Sequence, residues 1–462
     1  MAYQSVNPFN GQVLKTFNEH SDEQVSGFLD CASRCFQDKW RNATFAERAS
    51  IARKAASIMR TRADDFAQPV TLEMGKLIGE SHEEVALSAD IIDYYADNAE
   101  AFLAPQPIPT KFGEATIEST PLGVLLGIEP WNFPYYQLAR FVAPSLMAGN
   151  VVMVKHASSV PQCAMAFERA FTEAGAPDGV YTNLLVSKNQ LARLIQEPRV
   201  RGVGFTGGDQ AGAVVAAQAG QAVKKSTMEL GGSDPLIVLD DADLDKTVKW
   251  AVWGRMFNNG QCCVASKRMI AVGKLADPFV SKFKDALAAL KPGDPLDKTT
   301  TLAPMSSESA LQTLLDQVKR ATAGGARVVL GGNRIDRQGA FMQPTILTGI
   351  TRENPTYYEE FFGPVTLFFR VGNDDEAIRL ANDSPYGLGG SVFSTNIDHG
   401  KWVANRIETG MVFINHPTWT RPEFPFGGIK RSGYGRELSS LGIQEFVNKK
   451  LIRVVPIDAP EV

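Results

Sequence analysis

The stretch Asn258–Arg268, NNGQCCVASKR, sets two thiols side by side, Cys262 and Cys263, in a chain that has five cysteines. A thiolate is a strong nucleophile and can form a covalent intermediate with a carbonyl carbon. In an extended segment successive side chains face opposite ways, so at most one of the pair is expected to face a given cavity. Two cysteines can equally be small buried apolar residues, so other groups must decide. Glu229, in MELGGSDP (Met228–Pro235), closes the strand-like run STMEL and precedes Gly231-Gly232. A carboxylate at the carboxyl end of a parallel strand stands where open α/β sheets build their sites. Asn132, in EPWNFP (Glu129–Pro134), follows the apolar run GVLLGI. Its amide is a neutral donor suited to an oxyanion hole.

Groups so far apart in sequence need a scaffold that brings them together. Residues 22–105 carry apolar positions every three to four residues among charges, which predicts helices, until the Pro-rich APQPIPT (Ala104–Thr110) breaks the run. EATIES then reads as a strand. From Gly123 onward short Val/Ile/Leu runs (GVLLGI, VVMVK, GVYTNLLV, RGVGF, STMEL, PLIVLD, KRMIAVG) alternate with helical segments. That rhythm predicts an α/β fold with parallel sheets covered on both faces. The helix YQLARFVAPSLMAGN is expected to stop at Gly149-Asn150, and PQCAMAFERAFTEAG to run from Pro161 to Gly175. The lone C-terminal strand NKKLIRVVPI needs a partner in another element or another subunit.

The 462 residues suggest two or three domains. A net charge of −4 gives no expectation of binding nucleic acid or an anionic membrane. The beginning of the chain lacks a basic segment followed by an apolar run, and no window approaches a membrane span, so a cytoplasmic protein is expected. An odd cysteine count fits a reducing compartment, and no Cys/His grouping has metal-ligand spacing.

Six segments, in order, resemble the aldehyde dehydrogenase superfamily: PWNFP, GFTGG (Gly204–Gly208), MELGGSDP, GQCCVASKR, EEFFGPV (Glu359–Val365) and PFGGIKRSGYGRE (Pro425–Glu437). The resemblance covers nearly the whole chain. It implies an aldehyde dehydrogenase-like fold: two doubly wound α/β domains with a small β oligomerisation element. The cofactor domain would take residues 1–104 and 122–231, the catalytic domain 232–431, and the oligomerisation element 105–121 and 447–462, giving a homodimer or homotetramer. The family pattern Gly-Gln-x-Cys places the nucleophile at Cys263 and leaves Cys262 as packing or a redox neighbour. Asn132 and the Cys263 N–H would hold the oxyanion, and Glu229 would activate the hydrolytic water. The resemblance further implies a cofactor site of Trp131, Lys155, Ser158, Gly207, Gly208, Glu229, Leu230, Gly231, Glu360 and Phe362. The cofactor is expected to be NADP or NAD. Ser158 stands where NAD-preferring relatives carry Glu, which would repel a 2′-phosphate, so NADP should be accepted. Gly208 replaces a frequent Ser and removes one hydroxyl.

For the small-molecule aldehyde, Arg140, eight residues beyond Asn132, resembles the carboxylate-anchoring arginine of succinate-semialdehyde dehydrogenases; the alternative is a surface helix arginine in a salt bridge. Thr420 occupies the place of a carboxylate-holding serine. A second arginine common in those enzymes is replaced by Phe257, while Arg255 resembles the placement in a shorter bacterial branch. Phe426 adjoins the substrate mouth, and Trp419 and Phe424 offer apolar walls. Succinate semialdehyde is therefore the first expectation and a neutral aldehyde the second. Glu229 speaks against a CoA-acylating relative. The presence of Cys263, Glu229 and Asn132 speaks against a non-catalytic structural one.

Overall fold

The computed structural model describes residues 3–111 and 113–458. Of the expected domain and oligomerisation segments, residues 1–2, 112 and 459–462 lie outside the described residues. An antiparallel hairpin, Tyr3–Asn7 with Gln12–Phe17, comes first. The sequence reading missed it, because Gln12–Phe17 is largely exposed and shows no apolar face. Four helices follow, Asp22–Asp38, Phe45–Thr61, Ala63–Met74 and Ile78–Phe102. Capping boxes at Ser21/Gln24 and Thr44/Glu47 start the first two. None of the helices is long and apolar enough to cross a membrane among the described residues.

The first large sheet has six strands. Its middle strand, Val124–Glu129, lies between Val151–His156 and Val200–Thr206. Tyr181–Asn183 extends one side, and Lys225–Glu229 then Gly433–Tyr434 the other. The chain leaves the middle strand in one direction and returns to build in the other. This creates a topological switch at the carboxyl ends of Val124–Glu129 and Val200–Thr206, where such sheets open a crevice. The helix Pro134–Met147 fits down onto this sheet because two paired glycines make room. A Cβ at Gly127 would lie 2.7 Å from the Phe141 ring, and one at Gly204 would also strike that ring. All 14 residues of this helix are buried.

The second sheet has seven strands, in the order Arg327–Leu330, Thr345–Thr348, Val365–Val371, Ser266–Val272, Asp234–Val238, Ser391–Phe393, Phe413–Ile414. All neighbours are parallel except the first pair. A third, small sheet pairs the C-terminal strand Val447–Val454 with Glu114–Pro121, which in turn pairs with Gln106–Pro107. The orphan strand thus finds its partner within the chain. Its outer residues Leu451 and Val454 stay exposed.

Candidate active site

A cleft of about 220 Å³ opens at the carboxyl ends of the first sheet and the amino ends of the second. Pro130, Trp131 and Asn132 line it from the end of Val124–Glu129. Thr206, Gly207 and Gly208 come from the end of Val200–Thr206, and Glu229, Leu230 and Gly231 from the end of Lys225–Glu229. Cys263 precedes Ser266–Val272, and Glu360 and Phe362 precede Val365–Val371. Nine of the residues expected in catalysis or cofactor binding therefore meet in one cavity: Trp131, Asn132, Gly207, Gly208, Glu229, Leu230, Gly231, Glu360 and Phe362 stand round Cys263.

The loop before the thiols is a left-handed turn, with φ of 53° at Asn258, 52° at Asn259 and 74° at Gly260. Asn tolerates this region better than other residues with a Cβ, and Gly adopts it freely. The Asn258 amide donates to the carbonyls of Asn132 (2.8 Å) and Gln261 (3.0 Å), and its backbone N–H donates to Glu80. Cys262 and Cys263 are not in an extended segment. They lie in a turn closed by Ala265 N–H on the Cys262 carbonyl. The expected opposite-face rule therefore does not govern them, and each thiol shifts the other's pKa. Only Cys263 lines the cleft. The neighbouring Cys263 holds Cys262 below the ordinary thiol range, while Cys262 and burial push Cys263 up. Arg140 and Lys267 pull Cys263 the other way.

Asn132 is buried, with its Nδ2 donating to the Gln261 carbonyl at 3.0 Å. Glu229 is buried, and neither carboxylate oxygen accepts a hydrogen bond among the described residues. Burial pushes its carboxyl well above the usual range, opposed by the Arg140 charge and reinforced by Glu437. A carboxylate so poised is a stronger base near neutral pH. The PFGG segment packs directly on it, since a Cβ at Gly427 would lie 2.6 Å from Glu229 Oε1.

On one flank the helix Asp209–Gln221 begins at Gly208 with no side-chain cap, so its first N–H groups can meet an anion. Trp131 and Phe362 meet edge to face at 5.8 Å. Gly231 has no room for a side chain, because a Cβ would strike Glu360 Oε2. Lys155 ends the adjacent strand and lies 5.7 Å from the Tyr3 ring, with burial and Lys188 lowering its pKa. The Ser158 carbonyl accepts the Gln4 N–H, so the N-terminal hairpin covers this corner. Lys155 and Ser158 stand at the end of the neighbouring strand and do not line the cleft itself. Uncapped amides, a lysine, a hydroxyl and a carboxylate in this array can hold the phosphates and riboses of a dinucleotide.

The expected substrate residues are placed differently. Arg140, Arg255, Thr420 and Phe426 are all buried, and none lines the cleft. Arg140 is ion-paired with Glu437, lies over the Phe426 ring at 4.5 Å, and donates to the Tyr136 hydroxyl at 3.3 Å. The Tyr136 hydroxyl in turn donates to Thr420 Oγ1 at 2.8 Å. Of the alternative expected for Arg140, the salt bridge is present but the surface setting is not, because the helix that carries it is buried on every side. Arg255 Nη2 donates to the carbonyls of Phe361 and Gly363, so it braces the segment carrying Glu360. Burial lowers its pKa to about 9. Phe257 packs in an aromatic group with Trp253, tilted at 5.3 Å, and with Trp419, edge to face at 4.8 Å. Phe424 is exposed at its edge.

Sequence reasoning missed Tyr136, Gln137, Asn258 and Lys267. Asn258 carried a signal in the turn dipeptide Asn-Gly that follows it; the others carried none. His156 is structural. Its Nε2 meets the Pro134 carbonyl at 2.9 Å while Nδ1 accepts the Ala157 N–H. Burial lowers its pKa to about 4, so it is neutral and ties a strand end to the start of the buried helix.

Comparison with known proteins is consistent across the chain. A model of the aldehyde dehydrogenase family matches residues 1–452. The succinate-semialdehyde dehydrogenase [NADP(+)] of Deinococcus radiodurans is 49% identical over 98% of this chain and 95% of its own. The crystal structure of succinic semialdehyde dehydrogenase from Streptococcus pyogenes, in complex with NADP+, is 46% identical. It superposes with a TM-score of 0.97 over 98% of this chain and 100% of that one. The solved structure of Gox0499, described for its cofactor and substrate selection, is 52% identical with a TM-score of 0.97, over 98% and 100% of the two chains.

Proposed function

Since the chain belongs to the aldehyde dehydrogenase family, we propose that it oxidises succinate semialdehyde to succinate with NADP, using Cys263 as nucleophile, Asn132 and the Cys263 N–H as oxyanion donors and Glu229 as general base. The observation that carries the site is the convergence of Cys263, Asn132 and Glu229 on one cleft. The substrate and cofactor rest on relatives that carry those names at 46–49% identity over nearly their whole length.

The Cys263 thiolate attacks the aldehyde carbon, and the carbonyl π pair moves to oxygen. Asn132 Nδ2 and the Cys263 N–H donate to that oxyanion. When bound, the nicotinamide supplies the acceptor for the hydride that leaves the tetrahedral carbon. A thioester then remains on Cys263. Glu229 removes a proton from water as the water adds to the thioester carbon, and the Cys263 sulfur leaves as thiolate. Burial of Glu229 keeps its conjugate acid weak enough for this task at neutral pH.

For the cofactor, Glu360 holds the nicotinamide ribose, Lys155 the adenosine ribose, and the amides after Gly208 the pyrophosphate. Ser158, being uncharged, admits the 2′-phosphate. For the substrate carboxylate, the Arg140 charge is the attracting group; it reaches the cleft wall through its hydrogen bond to Thr206, and the Tyr136 and Thr420 hydroxyls that share its network are the groups that would turn to meet the carboxylate. The domains run 1–104 with 122–231, and 232–431. The oligomerisation element, 105–121 and 447–462, joins copies into a homodimer or homotetramer in the cytoplasm.

The test is reduced-nicotinamide absorbance with succinate semialdehyde and with butanal, each with NADP and with NAD. The proposal expects the highest kcat/KM for the semialdehyde with NADP. Equal or better turnover of butanal would leave the thiol chemistry standing and remove the carboxylate pocket. A large preference for NAD would remove the reading of Ser158.

A further inference from the structure

Lys267 stands four residues past Cys263, in the strand Ser266–Val272, and is wholly buried. Its Nζ donates to the carbonyls of Cys262 and Cys263, both at 2.8 Å, and meets Glu360 Oε1 at 3.0 Å. An ammonium has three N–H groups, and these three partners use them all. A buried cation is unfavourable unless paired and hydrogen-bonded, and this one is committed to the backbone of the nucleophile on one side and a cofactor-side carboxylate on the other. Glu360 Oε1 also accepts the Gly232 N–H at 3.1 Å, while a Cβ at Gly232 would lie 2.6 Å from the Cys263 carbonyl oxygen. Cys263, Lys267, Glu360 and the Gly231-Gly232 pair thus form one closed contact.

The planar trans peptide gives this contact a chemical consequence. The Cys262 carbonyl and the Cys263 N–H belong to the same peptide unit and point in opposite directions. Drawing that carbonyl onto Lys267 turns the Cys263 N–H away from Lys267. That N–H is one of the two oxyanion donors in the proposed mechanism. The next peptide is held likewise, by Lys267 on the Cys263 carbonyl. The Lys267 charge also favours the thiolate of Cys263.

We propose that Lys267 is a positioning residue that couples the ribose-binding carboxylate Glu360 to the nucleophile, by pinning the Cys262 and Cys263 carbonyls so that the Cys263 N–H is aimed at the oxyanion. The inference rests on Cys263 being the nucleophile. That premise fails separately, if Cys263→Ser keeps wild-type turnover.

The test uses Lys267→Met, which keeps the length and removes the charge and donors. The pH dependence of Cys263 alkylation by iodoacetamide is followed on cofactor-free enzyme by peptide mass spectrometry, beside steady-state kinetics. The expected results are an alkylation midpoint raised by about one to three pH units, a kcat lowered about 100-fold, and a smaller change in KM for the aldehyde. Ethylammonium should restore part of the turnover of Lys267→Ala. If Lys267→Met does not fold, Lys267→Gln, which keeps N–H donors but no charge, is expected to retain more kcat than Lys267→Ala while its alkylation midpoint still rises. An unshifted midpoint with kcat within twofold of wild type, in whichever uncharged variant folds, overturns the proposal.

Discussion

Replacing Gly232 by alanine should separate catalysis from folding. An ideal methyl there would lie 2.6 Å from the Cys263 carbonyl oxygen, 3.1 Å from Leu388 Cβ and 3.2 Å from Asp234 Oδ1. Ordinary contact is reached near about 3.5 Å, so the two backbones must part by roughly 1 Å. The oxygen that must give way accepts from Lys267, and the opposite neighbours are packed side chains. Overpacking of this kind costs about 1–3 kcal/mol of stability. A displacement of order 1 Å at a reacting centre lowers the rate about 100-fold. The assay is kcat with saturating aldehyde and NADP, beside urea unfolding of the same preparation. Gly220→Ala serves as control: its methyl meets nothing within 4 Å, and its stability should stay within about 1 kcal/mol of wild type. A Gly232→Ala enzyme with kcat within twofold of wild type would refute the claim that the nucleophile backbone tolerates no displacement here.

Other consequences follow from the buried charges. Arg140→Met leaves Glu437 buried without its partner and should destabilise by about 3–5 kcal/mol; adding Glu437→Gln should recover most of this in urea titrations. The same Arg140 variant should raise KM for succinate semialdehyde far more than for butanal, and equal effects would remove Arg140 from the carboxylate pocket. Glu229 has a folded pKa raised by burial, so its contribution to stability is fully present below the ordinary carboxylate pKa and is lost as pH rises toward the folded value. Glu229→Gln should therefore be more stable than wild type at pH 8 and nearly equal to it at pH 4; an equal gap at both would contradict the burial argument. The adjacent thiols can form only a strained, reducible disulfide. Peroxide should inactivate the enzyme in part and dithiothreitol restore it, and Cys262→Ala should lose the reversible component.

The alternation of strand and helix was legible because strands buried on both faces must be continuous Val/Ile/Leu runs, and VVMVK and PLIVLD have no other reading. Cys263, Glu229 and Asn132 were legible because each sits in a short motif bounded by Gly or Pro. What was not legible depended on partners distant in sequence. The partner of Arg140 does not show until Glu437, far along the chain, is folded against it. The two cysteines read as opposite-facing until the turn at Cys262 is seen. Lys267 looks like any strand lysine, because nothing local shows that its strand is buried from end to end.

The most direct measurement is to locate the acyl group. Glu229→Gln, mixed with succinate semialdehyde and NADP and quenched in acid, should accumulate the thioester because its hydrolysis lacks a base. Peptide mass spectrometry should find the succinyl group on Cys263. A succinyl group on Cys262, or no adduct on either cysteine while reduced cofactor is formed, would contradict the account.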